Sequence, residues 1–295
     1  MTQRSEDTAI RMVWDAQSVW SQAANKLKLS IERARLTALT LGIAAATLGT
    51  VASQTMSGHP SVGRAFAAAA AVAAGTAPLM AQRGGPGRLS DWTRLRAVSE
   101  AFKAESYAYL AGGGAQHSSG AAEALLGRVA RYRESSVDLS HYTFGITAVG
   151  RPLPAVTDPG SYVEHRLKGQ LTTYYRPKAE LMHRRVQFVE RLEFLLGGLG
   201  ALMAAVAGVY AVEAVAAWVA VAASVSVAVA AHSTAQRYAY QQLEFSRTAQ
   251  ELERLLERWE QTSDRNPAFV EGFIAECESV VSIQNEAWMI RWTLG

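Results

Sequence analysis

The sequence predicts an all-α integral membrane protein with four transmembrane helices in two hairpins and long cytosolic amphipathic helices. Three observations predict it. Stretches 36–56, 65–81, 194–212 and 214–231 contain no Asp, Glu, Lys, Arg or His. Each has about the length a helix needs to cross a bilayer, roughly 17–25 residues. They pair through short turns, the first over 57–64 and the second over little more than Glu213. The basic residues are sorted around them: six precede the first stretch, sixteen lie in the middle segment, six follow the last, and only Arg64 falls in a hairpin turn. The positive-inside rule then puts both termini and the middle segment in the cytoplasm, with the chain multi-pass in the inner membrane.

Each element follows from its residues. A basic helix over 15–35 leads into the first span, and Gly84, Gly85, Pro86 and Gly87 end the helix of the second. A charged helix over 92–110 returns to the cytosol, and the run 111–120 reads as a flexible tip. The segment 141–159, rich in Pro, Gly and Thr, reads as an extended linker. Asp158-Pro159 is a cap followed by a first-turn proline, and Ser161-x-x-Glu164 fits a capping box. A helix over 162–191 leads into the third span, and one over 236–260 follows the fourth. In the latter, Leu252, Leu255, Leu256 and Trp259 share a face, and Arg247 is spaced to pair with Glu251. Asn266-Pro267 caps the last helix, where Phe269, Phe273, Cys277, Val280, Trp288 and Trp292 recur on one side. These last two helices should form an antiparallel hairpin or pack on neighbouring subunits. The chain thus reads as one plan used twice: a first domain over 1–140, a linker over 141–160 and a second domain over 161–295.

Composition narrows the function. The net charge of +3 is small, and basic residues cluster beside the spans, as at Arg33, Arg35, Arg184 and Arg185, where anionic headgroups lie. No basic run is interleaved with stacking aromatics, which argues against nucleic acid as a partner. The lone Cys277 excludes an intrachain disulfide. The first 35 residues hold no apolar core, so no signal peptide is expected. The spans are rich in Ala and Gly, so a soluble Ala-rich bundle is the rival reading; the charge asymmetry argues for insertion.

No catalytic, metal or cofactor site is expected. Glu180-x-x-His183 is half of a bundle-type di-iron motif and has no second copy. Gly112-Gly113-Gly114 lacks the Lys and Ser/Thr of a phosphate-binding loop. On the first span Thr40, Thr47, Thr50 and Gln54 fall within an arc of roughly 80°. They either line a water path or bond their own helix carbonyls. Gly42, Ala46 and Gly49 form a small opposite face. Gly197, Ala201, Ala204 and Gly208 form a packing seam on the third span, with the fourth span as its expected partner. Uncharged spans without helix breaks disfavour a transporter.

The layout resembles the SLATT effector domains, two-span domains found beside nucleotide-synthesising and nucleotide-sensing partners in bacterial conflict systems. In the first copy the likeness rests on Trp92, Arg94, Arg96, Glu100, Lys103, Glu105, Tyr109 and Leu110. In the second it rests on Tyr162, Arg166, Gln170, Tyr174, Tyr175, Lys178 and Ala179, closed by Glu278, Glu286 and Trp288. The chain is similar to a tandem of two SLATT subtypes. The resemblance implies a non-enzymatic membrane effector of anti-phage defence that forms oligomeric pores when a separate cytosolic sensor is triggered. A non-conducting membrane scaffold that recruits cytosolic partners is the alternative.

Overall fold

The computed structural model describes residues 2–112, 120–210 and 213–293. The expected tip at 111–120 lies largely outside them, as do the side chains of Glu286, Trp288 and Trp292. The described elements are helical, and no strand occurs among them. They are α1 (Thr2–Thr55), α2 (Pro60–Arg83), α3 (Pro86–Ala111), α4 (Ala121–Glu134), a 3-10 turn (Val137–Thr143), α5 (Pro159–Tyr162), π-helical turns (Val163–Lys168 and Leu171–Tyr175), α6 (Arg176–Tyr210), α7 (Glu213–Gln236), α8 (Tyr238–Gln261) and α9 (Pro267–Thr293).

Two compact units form, each from separate stretches of chain. One comprises Met1–Leu29, Pro86–Ala179 and Leu243–Gly295; the other comprises Ser30–Gly85 and Glu180–Gln242. Long helices shared between units make this possible: α1 is a single helix of 54 residues, with its charged and apolar halves in different units.

The second unit holds the apolar stretches. Among the described residues four helices are long and apolar enough to cross a membrane. Only 6, 11, 0 and 11% of their most apolar stretches is buried within the chain. A soluble bundle would use such residues as its core. Here Phe194 is 81% and Val209 76% exposed. Leaving a large apolar side chain in water forgoes about 1.5–3 kcal/mol each, so this surface fits lipid and the soluble-bundle reading does not hold. In the first hairpin the turn is only 56–59, with Pro60 opening α2. A Cβ on Gly63 would stand 2.9 Å from the Met56 Cα, so the helices meet there closely enough to require glycine. Gly84 caps α2, and its carbonyl accepts from Arg35 Nε at 3.0 Å. Gly42 and Gly49 have nothing within 4 Å of a built Cβ, so the small face expected on the first span does not pack within the chain.

The first unit is an ordinary packed core. Leu95, Phe102, Leu125, Leu252, Leu255, Phe273 and Cys277 are all 0–1% exposed. Trp20 meets Phe102 edge-on at 6.1 Å, and Trp259 packs on Phe273 at 4.9 Å, which closes α8 and α9 into the expected hairpin. The Asn266 cap forms, with its Oδ1 accepting from Phe269 N at 2.9 Å. The capping box at 158–164 differs from the expected one. Asp158 and Ser161 bond reciprocally, while Glu164 reaches forward to Lys168 at 3.0 Å. Asp158 already stands at the cap, so Ser161 is the third helical residue and not a cap itself. Arg247 also departs from its expected partner: it lies 3.6 Å from Glu244, and Glu251 is held by Arg254.

The segment after the 3-10 turn is extended, as expected, but it is fastened. Trp14 Nε1 donates to Pro152 O at 3.0 Å, Gln22 Nε2 to Thr147 O at 2.9 Å, and Val149 N to Ser18 Oγ at 3.1 Å. Arg151 stacks on the Trp14 ring at 3.7 Å and donates to the Trp14 carbonyl and to Gln17. The stretch is therefore a strap along the first half of α1.

Candidate functional site

The motif residues of the charged helices converge on a buried network of charges in the first unit. α3 is amphipathic in an unusual way: Leu95, Val98 and Phe102 fill the core while Arg96, Glu100 and Lys103 line the adjacent strip. Glu100 takes Arg96 at 3.3 Å and Lys103 at 4.0 Å, pairs one helical turn apart. Arg96 also donates to the Tyr174 hydroxyl at 3.0 Å.

Arg166 is the centre. It is 2% exposed, and its Nε and Nη2 donate to the two Glu278 oxygens at 2.9 and 2.6 Å. Tyr162 donates to the same carboxylate at 2.8 Å. The guanidinium lies 4.6 Å from the centre of the Tyr107 ring, while its Nη1 finds no hydrogen-bond acceptor among the described residues. The ring's negative face takes part of that place. Asp158 starts the helix that carries Tyr162 and Arg166, and the two π-helical turns follow. Each π turn advances the chain by more residues per turn than an α-helix does. Tyr162, Arg166 and Tyr175 are all buried under this geometry, while Gln170, between the turns, is half-buried.

Burial and neighbouring charge oppose each other here. Burial alone would raise the Glu100 carboxyl, but Lys103, Arg96 and Arg166 outweigh it and hold it below its ordinary value. Burial lowers the Lys103 ammonium to about 8, with Glu100 opposing and the two arginines assisting. Burial works against the Arg166 charge too, yet Glu278 outweighs it and the guanidinium is held more firmly protonated than usual. Burial pushes Tyr162 well up. Three cations, Arg96, Lys103 and Arg166, share two carboxylates, Glu100 and Glu278.

Other motif residues lie around it. Trp92 is 9% exposed, with Lys28 5.9 Å over its ring. Arg94 forks onto Asp138 at 2.5 and 2.8 Å, and Glu105 takes Arg128 at 2.6 Å. A groove of about 1240 Å³ runs between α3, α4 and α9, floored by Ala97, Ala101, Ala104 and Ala108 and walled in part by Glu100 and Glu278. Sequence spacing could not place it, because α3 and α9 are joined only by folding. Outside this unit, Glu180 lies 3.5 Å from Arg184, and His183 sits between the Gln187 and Gln242 amides at 2.9 and 3.1 Å. No group of three or more His, Cys, Asp or Glu able to hold a metal occurs among the described residues.

The span residues are placed as follows. Thr40 and Thr47 donate to their own helix, to Thr37 O at 3.0 Å and Ile43 O at 2.9 Å. Thr50 is half-exposed and Gln54 exposed. Gly197, Ala201, Ala204 and Gly208 are all exposed, and a Cβ on Gly197 or Gly208 would meet nothing within 4 Å. Within the chain this seam does not face the fourth span. The half-buried positions are Leu196, Gly200, Met203 and Ala207, and a Cβ on Gly200 would stand 4.0 Å from that of Ala222. The stripe is made of small residues, but smallness alone does not say which neighbour it meets.

Comparison with known families agrees with this layout. Residues 162–288 match the SMODS and SLOG-associating 2TM effector domain 1. Residues 18–124 match a family described as a protein of unknown function, DUF4231. No match was found among curated proteins or among solved structures. The buried network joins the two matched segments, with Arg96, Glu100 and Lys103 in the first and Tyr162, Arg166 and Glu278 in the second. Residues 162–288, which hold the second hairpin and its flanking helices, are thus similar to the SLATT two-transmembrane effector domains.

Proposed function

We propose that the protein is an oligomeric membrane effector of bacterial defence. In this reading it sits in the inner membrane with both termini cytoplasmic and opens a pore or disrupts the bilayer when a separate nucleotide-sensing or nucleotide-synthesising protein signals. The observation that carries the reading is the match of the second hairpin and its cytosolic helices to an effector domain. The bare apolar windows support the membrane half, since 89% or more of each is left uncovered by the chain itself. They also support assembly, because one hairpin cannot enclose water and exposed small seams admit close helix neighbours. The stripe at Thr40, Thr47, Thr50 and Gln54 is the candidate pore lining; the hydroxyls of Thr40 and Thr47 keep lone pairs for water while donating to their helix.

Those same intrahelical bonds favour the scaffold alternative, in which no threonine needs a pore. Ion efflux from liposomes separates the two. The reconstituted protein should release entrapped ions, and Thr47→Leu, which makes the path apolar, should lower the rate with insertion and oligomer size unchanged. Correctly inserted protein that releases no ions under activating conditions supports the scaffold.

A further inference from the structure

The cytosolic end of the second hairpin carries a basic surface that neither the charge network nor the proposed pore uses. Between positions 176 and 191, α6 has five Lys or Arg residues and two Glu. His183, Arg184 and Arg185 are exposed. α8 begins beside them after a break: Arg237 stands at φ 50, a left-handed conformation that is uncommon outside glycine. The break ends α7 and starts α8 against α6, and two bridges hold it there. Arg185 lies 5.4 Å over the Tyr238 ring, and His183 meets Gln242 at 3.1 Å. Among the described residues Arg184 has Glu180, 3.5 Å distant and itself exposed, as its ion-pair partner.

The depth is set by the side chains that follow. Uncharged surface begins at Phe194, 81% exposed. Over 188–193 apolar and charged residues are mixed, with Phe188 66% exposed near Glu190, Arg191 and Glu193. Arg185 and Arg184 precede Phe194 by nine and ten residues, a rise of about 13–15 Å along the helix. A headgroup layer is roughly 5–8 Å deep, so their backbones stand on its aqueous side, about one arginine side chain from the headgroups.

From this juxtaposition we infer that Arg184, Arg185 and Tyr238 form a binding site for the headgroup of an anionic phospholipid. A guanidinium presents two parallel donors that match two phosphate oxygens. Tyr238 fixes the Arg185 plane, and Arg184 supplies a second, weakly engaged cation. The inference rests on the spanning reading, but not on conduction.

The test is thermal unfolding of the detergent-purified full chain in micelles doped with phosphatidylglycerol or phosphatidylcholine. Phosphatidylglycerol should raise the midpoint by several degrees more than phosphatidylcholine. The double variant Arg184→Gln, Arg185→Gln should lose most of that difference. Arg131→Gln with Arg254→Gln, which removes the same charge elsewhere, should keep it, and Tyr238→Leu should reduce it. Equal loss in the control variant means unspecific charge attraction and overturns the site. Equal stabilisation by soluble glycerol 3-phosphate overturns it in favour of a free-phosphate site. Partition of the wild type into the aqueous phase without detergent would instead remove the spanning reading itself.

Discussion

Arg166 and Glu278 lie 112 positions apart and meet as a bidentate pair inside the core. Burying two ions is costly, and the pair is tolerated because both carboxylate oxygens and two of the guanidinium nitrogens are satisfied. Removing one partner strands the other, at about 3–5 kcal/mol. Arg166→Met should therefore destabilise the chain by that much in detergent denaturation, whereas Arg166→Met with Glu278→Leu should recover most of the loss. Lys103 gives a pH signature. Its ammonium is lowered by burial from 10.5 to about 8 in the fold. The folded state thus favours the neutral amine, so its contribution makes stability rise with pH between about 8 and 10 and stay low and flat beneath 8. Lys103→Met should flatten a stability profile measured across that window. None of these contacts could be read from spacing. The resemblance to the SLATT motifs singles out Arg166, Glu100 and Glu278, but names no partner across so long a separation.

At the scale of elements, local signals were legible where the chemistry is local. Charge-free stretches mark the membrane-length helices, Asp158 and Asn266 mark helix starts, and the apolar faces of α8 and α9 mark a hairpin. Elements set by backbone hydrogen bonding were not legible. The π-helical turns break no composition rule, and Arg237 takes a left-handed φ without the glycine that would signal it. The small-residue stripes show the limit of pattern most clearly. Gly63 touches backbone and Gly42 touches nothing, though both are glycines in apolar helices. Gly63→Ala should cost about 1–3 kcal/mol, an overpacking penalty, because the Met56 backbone cannot yield. Gly42→Ala should be neutral or stabilising by up to about 1 kcal/mol. Thermal unfolding of the two variants in detergent checks the contrast; equal losses would mean that the first small face is packed after all.

At the scale of the molecule, two family-matched segments share two compact units in an interleaved way. Each segment contributes a membrane hairpin to one unit and charged helices to the other. A linear reading gives two consecutive domains, because sequence similarity runs along the chain while packing runs across it. The spans leave their apolar stretches bare and the other unit buries its own, a division that has physical sense only if a bilayer covers the spans. The measurement that tests this most directly is single-cysteine labelling in intact cells with an impermeant thiol reagent, after Cys277→Ser. A cysteine at Ser57, in the exposed turn of the first hairpin, should react, and one at Ser263, between α8 and α9, should react only after lysis. Labelling of position 263 in intact cells, or protection of position 57, would contradict the account.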